Sequence, residues 1–425
     1  MDKIGKNGKF TIYLLTFFIA ISAFYIGWIL FSKNKENEKS LLAKPDKIDE
    51  NFIDYNYEEY NKIQKEMEEF SFESFEKLIK SDSNIIYSPF SYQSAMGLLC
   101  ASSGEESKKI IEKGLRLSSF EAFERNYKVI VANLKRGGKS VVFNSIWLDK
   151  DIKPNTETIK KSADNFYSHF YKADFSKKST YEKMSKLVEE NTKGKLKFDE
   201  KDTEPNKDTA VIFLNTVYTK VAWKKPFDEK NTKKGEFKTS KEKTDVDFMK
   251  GKEKAFYFKN ENYEIGRKNF QKEYSALFIK PIGKIDEVLK RESLKEAVEK
   301  FNKNKDQCDL TLHLPKFNIF SKLSLKEMSE DMGMGEIFKN INIKPIGEMK
   351  LPSRVSKIIQ GVCVSMDEKG TEAAAYTRVD VEDVAMPING SKKERELKLD
   401  SPFIFVIYNR DMPVYMGFVE NPSIK

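Results

Sequence analysis

Histidine is nearly missing from the 425 residues, and cysteine is scarce: His169 and His313 are the two histidines, and Cys100, Cys308 and Cys363 the three cysteines. Three thiols with no CxxC pair cannot form a disulfide framework. Cys100 and Cys363 sit among apolar residues and read as small buried hydrophobes, with one opportunistic disulfide as the alternative. Two isolated histidines remove the usual residue for zinc binding and acid–base catalysis. HExxH, G-x-S-x-G and GxxxxGK[ST] are all absent, and the G-x-G at Gly333 and Gly335 is isolated and reads as a loop. No metal or cofactor is expected, and the chain does not read as an enzyme. Glycine and proline are too sparse for a collagen-like or low-complexity chain. The 32 phenylalanines are too much apolar surface for a disordered one.

Charge is abundant but mixed. Lysine plus arginine exceed the acids by 75 − 66 = 9, and both signs alternate through stretches such as KKIIEKGLR. This pattern fits a solvated surface without a nucleic-acid partner. A polyanion site is the alternative, using Lys108, Lys109, Lys113 and Arg116, or Lys135, Arg136 and Lys139.

Residues 1–9 form a short polar N-terminus, and residues 10–32 contain no charge. As a helix those 23 residues reach roughly 35 Å, enough to cross a bilayer core. A cleaved signal peptide has a shorter apolar core, so an uncleaved signal anchor is the preferred reading and a signal peptide cut near Ala20-Ile21-Ser22 the alternative. Lys3, Lys6 and Lys9 place the short N-terminus in the cytoplasm and the main body on the extracellular or lumenal side, secreted or anchored. Residues 33–51 read as a polar tether and 52–425 as one folded domain. The sequon Asn389-Gly390-Ser391 offers a glycosylation site.

Within the domain, the first half reads mostly helical. Apolar residues recur at three- and four-residue spacing over residues 58–80. Residues 88–103 form a nearly uncharged run opened by Ser88-Pro89, a cap followed by a first-turn proline. Later segments change period: residues 209–223, 274–283, 309–320, 356–366, 403–409 and 413–419 predict strands. A helical pattern over residues 323–338 interrupts them. With no internal repeat, the fold class is a single α+β domain with extended sheets.

One stretch has a second face. From Thr371, alternate residues Thr371, Ala373, Ala375, Thr377, Val379 and Val381 are all uncharged and small or β-branched. Of the intervening six, Glu372, Arg378, Asp380 and Glu382 are charged. Period two with one apolar and one charged face is the pattern of a half-buried strand, about 40 Å long for 12 residues. Small residues on the inward face lose little side-chain entropy and do not overpack.

Six motifs in order resemble the serpin family: Asn84 to Ser91, Phe213 to Phe227, Leu314 to Phe317, Glu368 to Ala375, Ser401 to Phe405 and Met416 to Pro422. The resemblance implies three β-sheets, about nine helices and an exposed reactive-centre loop, here about residues 368–396. A serine protease attacks such a loop and forms an acyl-enzyme. The cut loop then enters the main sheet as a new strand and carries the covalently attached protease with it.

The hinge implied is Glu368, Gly370, Thr371, Glu372, Ala373, Ala374 and Ala375, whose small residues match inhibitory members. Counted along the loop as in the family, the resemblance implies a reactive bond at Val384–Ala385 and with it an elastase-like target; a register shifted to Met386 implies a chymotrypsin-like one. Ser88, Ser91, Asn215 and Gln360 match a buried polar gate under the sheet, with Gln360 where the family has histidine. Glu368 and Lys316 match a pair steadying the top of the sheet, near Trp223. The expected protein is a monomer that traps a target protease covalently. The alternative is a non-inhibitory serpin acting as a binding or chaperone-like protein.

Overall fold

The computed structural model describes residues 40–46, 55–136, 141–195, 211–348, 354–355, 358–371 and 393–424. The apolar segment 10–32 lies outside them, and among the described residues no helix is long and apolar enough to cross a membrane. The chain begins with strand β1 (Leu41–Ala43), helix α1 (Tyr57–Glu76), β2 (Ile85–Tyr87) and α2 (Pro89–Ala101). Helices α3 (Glu105–Gly114) and α4 (Phe120–Arg136) follow, then β3 (Val141–Asp149), β4 (Lys153–Pro154), α5 (Thr156–Asn165), β5 (Ser168–Ala173) and α6 (Lys178–Asn191). Next come β6 (Val211–Tyr218), β7 (Val221–Ala222), β8 (Lys233–Lys238), β9 (Lys243–Lys259), β10 (Tyr263–Asn269) and β11 (Tyr274–Pro281). Short α7 (Ile285–Leu289) and α8 (Leu294–Asn304) lead to β12 (Asp306–Pro315), β13 (Phe317–Ser324) and α9 (Lys326–Ser329). The remainder is β14 (Gly347–Glu348), β15 (Ile359–Met366), β16 (Gly370–Thr371), β17 (Glu394–Lys398), β18 (Phe403–Asn409) and β19 (Met412–Val419).

Helix α1 forms because Tyr60, Ile63, Met67, Phe70 and Phe75 fall on one face at helical spacing, and all five are buried. Asn56 caps it by accepting from the Glu59 N–H. Helix α2 is apolar on every side and runs through the core, where the rings of Phe90, Phe123, Tyr127 and Phe166 meet. Burying each such ring contributes roughly 1.5–3 kcal/mol.

The helical pattern over 323–338 is not one helix. Helix α9 stops at Ser329, a wider turn follows, and Gly333 takes φ 90° before a 3₁₀ turn at Gly335–Phe338. Glycine permits that left-handed step without a Cβ penalty, and it breaks the helical run that the spacing predicts.

A nine-stranded sheet runs β17-β12-β9-β10-β11-β18-β19-β2, with β8 added on β9. Two four-stranded ladders, β1-β5-β3-β6 and β13-β15-β16-β7, meet through the chain itself, because only Thr219 and Lys220 separate β6 from β7. The chain from β6 into β7 thus links the two ladders at the β7–β16 end, and together they are treated as one large sheet. A small β14–β4 pair completes the set, and nine α-helices occur among the described residues.

The first half holds more sheet than its helical reading suggests. Strand β3 (VVFNSIWLD) is buried on both faces, so it lacks alternation. Its Asn144 is satisfied inside the core by donating to the Tyr127 hydroxyl at 3.0 Å and the Phe166 carbonyl at 2.9 Å. Within the stretch that reads as a tether, Leu41–Ala43 lies as an edge strand on β5, with Leu41 opposite Tyr171 and Ala43 opposite Phe170. Lys183 of α6 bonds Ser40, and Lys160 of α5 pairs with Asp46 at 2.9 Å.

Candidate functional site

The large sheet is joined at one end and parted below it. Strand β15 pairs with β13 along its whole length, from Phe317–Met366 to Ser324–Ile359. On its other edge it meets β16 only at Met366–Thr371, and β16 in turn meets β7 at Gly370–Ala222 and Thr371–Val221. Among the described residues no ladder joins β15 to β6. A cleft open to solvent occupies the gap, with Val217 and Tyr218 on one side, Cys363 and Ser365 on the other, and Thr371 at its closed end.

Residues 367–371 are fixed there by a dense set of bonds. The Asp367 carboxylate accepts from the Lys369 and Gly370 N–H groups at 2.8 and 3.0 Å, folding the turn that delivers β16. Gly370 has φ 147°, and a Cβ built on it would lie 2.3 Å from the Val221 carbonyl oxygen. Only glycine fits this close approach. Thr371 is buried, and its hydroxyl accepts from the Val221 N–H at 3.3 Å.

Trp223 clamps the turn from below: its indole N–H donates to the Asp367 carbonyl and its backbone N–H to the Lys369 carbonyl, both at 2.9 Å. Phe227 N–H donates to the Glu368 carbonyl at 3.0 Å. Phe270 stacks on the Trp223 ring at 3.9 Å.

The Glu368 side chain is 8% exposed and accepts from Lys316 Nζ at 2.9 Å and Thr232 Oγ1 at 2.8 Å. Burial works to raise its pKa, but the Lys316 ammonium and the Thr232 hydroxyl outweigh that and hold it below its ordinary value. Lys316 is opposed by burial in the same way, and the Glu368 carboxylate raises its pKa above the ordinary value.

Beneath the cleft, four of the residues expected from sequence come together at the start of α2. Gln360 of β15 brackets Ser88: its Oε1 accepts from the Ser88 N–H and its Nε2 donates to the Ser88 carbonyl, both at 2.9 Å. The amide uses both its ends where a histidine has one donor and one acceptor nitrogen. Ser88 Oγ accepts from the Ser91 N–H at 3.2 Å and donates to the Val414 carbonyl at 2.8 Å. Ser91 Oγ bonds Asn215 of β6, which donates to Asn144. The helix start therefore touches both sides of the parted sheet, β15 through Gln360 and β6 through Asn215.

Thr232, Phe270, Lys268 and Asn144 are the residues that sequence reading missed. None carries a motif of its own; Asn144, Lys268 and Phe270 reach the site through strand pairing, and Thr232 through the turn that precedes β8. Glu372, Ala373, Ala374, Ala375, Val384, Ala385 and Asn389 lie outside the described residues, as does Lys139. Among the basic candidates, Arg116 is engaged by Glu73 at 2.6 Å and the Lys135 ammonium sits 3.6 Å over the Tyr167 ring, while Lys109 and Lys113 are exposed on α3. Cys100 and Cys308 are buried and Cys363 is half-buried, and no disulfide joins them.

Comparison with known proteins gives a consistent result. Mouse alpha-1-antitrypsin 1-2 is 25% identical over 357 residues, 81% of this chain and 84% of that protein. The crystal structure of tengpin, a thermophilic serpin in its native state, superposes with a TM-score of 0.76 at 24% identity, covering 90% of this chain and 99% of that one. Human thyroxine-binding globulin superposes with a TM-score of 0.75 at 21% identity, covering 86% and 100%. Residues 65–422 match the family described as serpin (serine protease inhibitor), and the chain belongs to that family.

Proposed function

We propose that this protein is a suicide-substrate inhibitor of an extracytoplasmic serine protease, elastase-like or chymotrypsin-like. The protease serine oxygen attacks the Val384 carbonyl carbon, the bond to Ala385 breaks, and the new amine leaves with a proton. An ester then joins Val384 to the protease. The freed stretch from Thr371 onward enters the cleft between β15 and β6, with its small alternate residues facing the core and its charged ones facing water. The protease travels with it and is pulled away from the geometry that would hydrolyse the ester.

The observation that carries this reading is Thr371, held between β15 and β7 where the ladder stops and the cleft begins. A strand continuing from that residue meets β15 on one side and β6 on the other. The gate at Ser88, Ser91, Asn215 and Gln360 bridges the two sides below, and the Glu368–Lys316 pair holds the joined end until cleavage supplies the driving force. Residues 10–32 anchor the chain in a membrane with the domain outside. A polyanion partner would use the exposed Lys109 and Lys113.

The test is incubation of the purified protein with elastase and with chymotrypsin. A covalent complex surviving SDS, with Ala385 as the new N-terminus, is expected. Complete loop cleavage without any such complex supports the non-inhibitory binding or chaperone-like reading instead.

A further inference from the structure

We propose that Lys268 is a positioning residue for the hinge, holding from beneath the two aromatic residues that clamp Asp367, Glu368 and Lys369. This rests on the inhibitory reading for its functional consequence, but its structural content stands separately.

Lys268 lies on β10, and its side chain is only 5% exposed, an unusual place for an ammonium. Two acceptors hold it: the Glu253 carboxylate of β9 at 2.9 Å and the Lys225 carbonyl at 2.8 Å. Burial lowers its pKa against the pull of Glu253, and the nearby Lys225 charge acts in the same direction as burial. The ammonium faces the Phe227 ring at 4.6 Å and the Trp223 ring at 5.2 Å, within cation–π range of both. Those rings belong to the residues whose N–H groups bond the carbonyls of Asp367, Glu368 and Lys369.

The arrangement is a chain of contacts from a buried charge to the hinge. The Lys225 carbonyl is itself part of the turn between Trp223 and Phe227, so Lys268 fixes that turn by a hydrogen bond and its two rings by charge. An apolar side chain of similar length would fill the space but leave Glu253 without its partner and the turn without its donor. Among the described residues Lys268 makes no bond to the loop, and its effect passes through the turn from Trp223 to Phe227.

The experiment compares full-length Lys268→Met, Lys268→Arg and Glu253→Gln with wild type by amide hydrogen exchange and by stoichiometry of inhibition. In Lys268→Met the Trp223 and Phe227 amides should exchange about tenfold faster, as expected for loss of one hydrogen-bond-sized contribution, while strands β18 and β19 keep their protection. The inhibitor should also be consumed as substrate more often, and arginine should restore part of both properties. Glu253→Gln, which keeps size and fold, should give the same local change in smaller measure. Unchanged protection of Trp223 and Phe227 in both variants, or an equal loss across β18 and β19, would overturn the assignment. If wild type itself forms no covalent complex, the inhibitory reading fails while the exchange data still decide the role of Lys268.

Discussion

Substituting Glu368 by lysine probes the joined end of the sheet most sharply. The carboxylate is almost fully buried and accepts from both Lys316 and Thr232. Glu368→Lys removes both bonds and sets a second ammonium beside the first. Both bonds end on the ionised carboxylate and are charge-assisted, each worth about 1.5–3 kcal/mol. Lys316 is 39% exposed, so it can turn into water and relieve much of the repulsion, which places the ion-pair loss near the lower end. The sum is about 3 kcal/mol, or roughly a hundredfold more of the locally opened state. The backbone bonds from Trp223 and Phe227 persist, so the variant should fold and then fail on warming. Wild type and variant at equal concentration, held a few degrees below the wild-type midpoint, should differ sharply in polymer formation by size-exclusion chromatography. Monomer loss within about twofold of wild type would mean that the pair contributes nothing to keeping the sheet closed.

Thr371→Arg forces a charge into a buried position at the closed end of the cleft, so the loop should still be cut while the covalent complex disappears from SDS gels; normal inhibition would refute insertion from this residue. Gly370→Ala places a Cβ against the Val221 carbonyl and should weaken β16 by about 1–3 kcal/mol, seen as faster exchange at the Val221 amide. The Glu368 pKa is held below its ordinary 4.5, so its contribution is present above that pH and is lost as pH falls through the lowered value. The Lys316 pKa is raised above 10.5, so its share is present below that pH and is lost as pH rises beyond it. Polymer onset against pH should show both limbs, and Glu368→Gln should abolish the acid one and weaken the alkaline one. Leu41→Asp should free β1 from β5 and lower the thermal midpoint by about 2 °C, checked by calorimetry.

Much of the architecture was readable because burial and period agree. Residues 403–409 form β18 with the bounds their apolar run predicts, and Ser88 caps α2 ahead of Pro89 as the pair implies. Strand β3 was hidden because its interior polar residues are satisfied by partners far along the chain, which no local pattern records. The 17-residue β9 was hidden by its lysines, since Lys250 and Lys254 face water between buried Met249 and Ala255. In the proposed hinge, the close approach at Gly370 and the burial of Thr371 agree with their residue types. The parting of the sheet below them was not legible, because it is a missing pairing between β6 and β15, and long-range pairing is set by topology rather than by either strand's composition. Lys268 was illegible for the same reason: the bridge between Trp223 and Phe270 and the bond from the Lys224 N–H to the Asn269 carbonyl bring Trp223 against β10.

The most direct measurement uses Cys363 as a reporter, since its half-buried thiol lines the cleft while Cys100 and Cys308 are buried. Its maleimide labelling rate should be followed before and after the loop is cut, together with the thermal midpoint. If the freed stretch becomes a strand between β15 and β6, Cys363 should label at least tenfold more slowly. Eleven added strand residues at about 1 kcal/mol each should then raise the midpoint by about 14 °C. A cut protein whose Cys363 labels as fast as before, and which melts where the intact one does, would contradict the account.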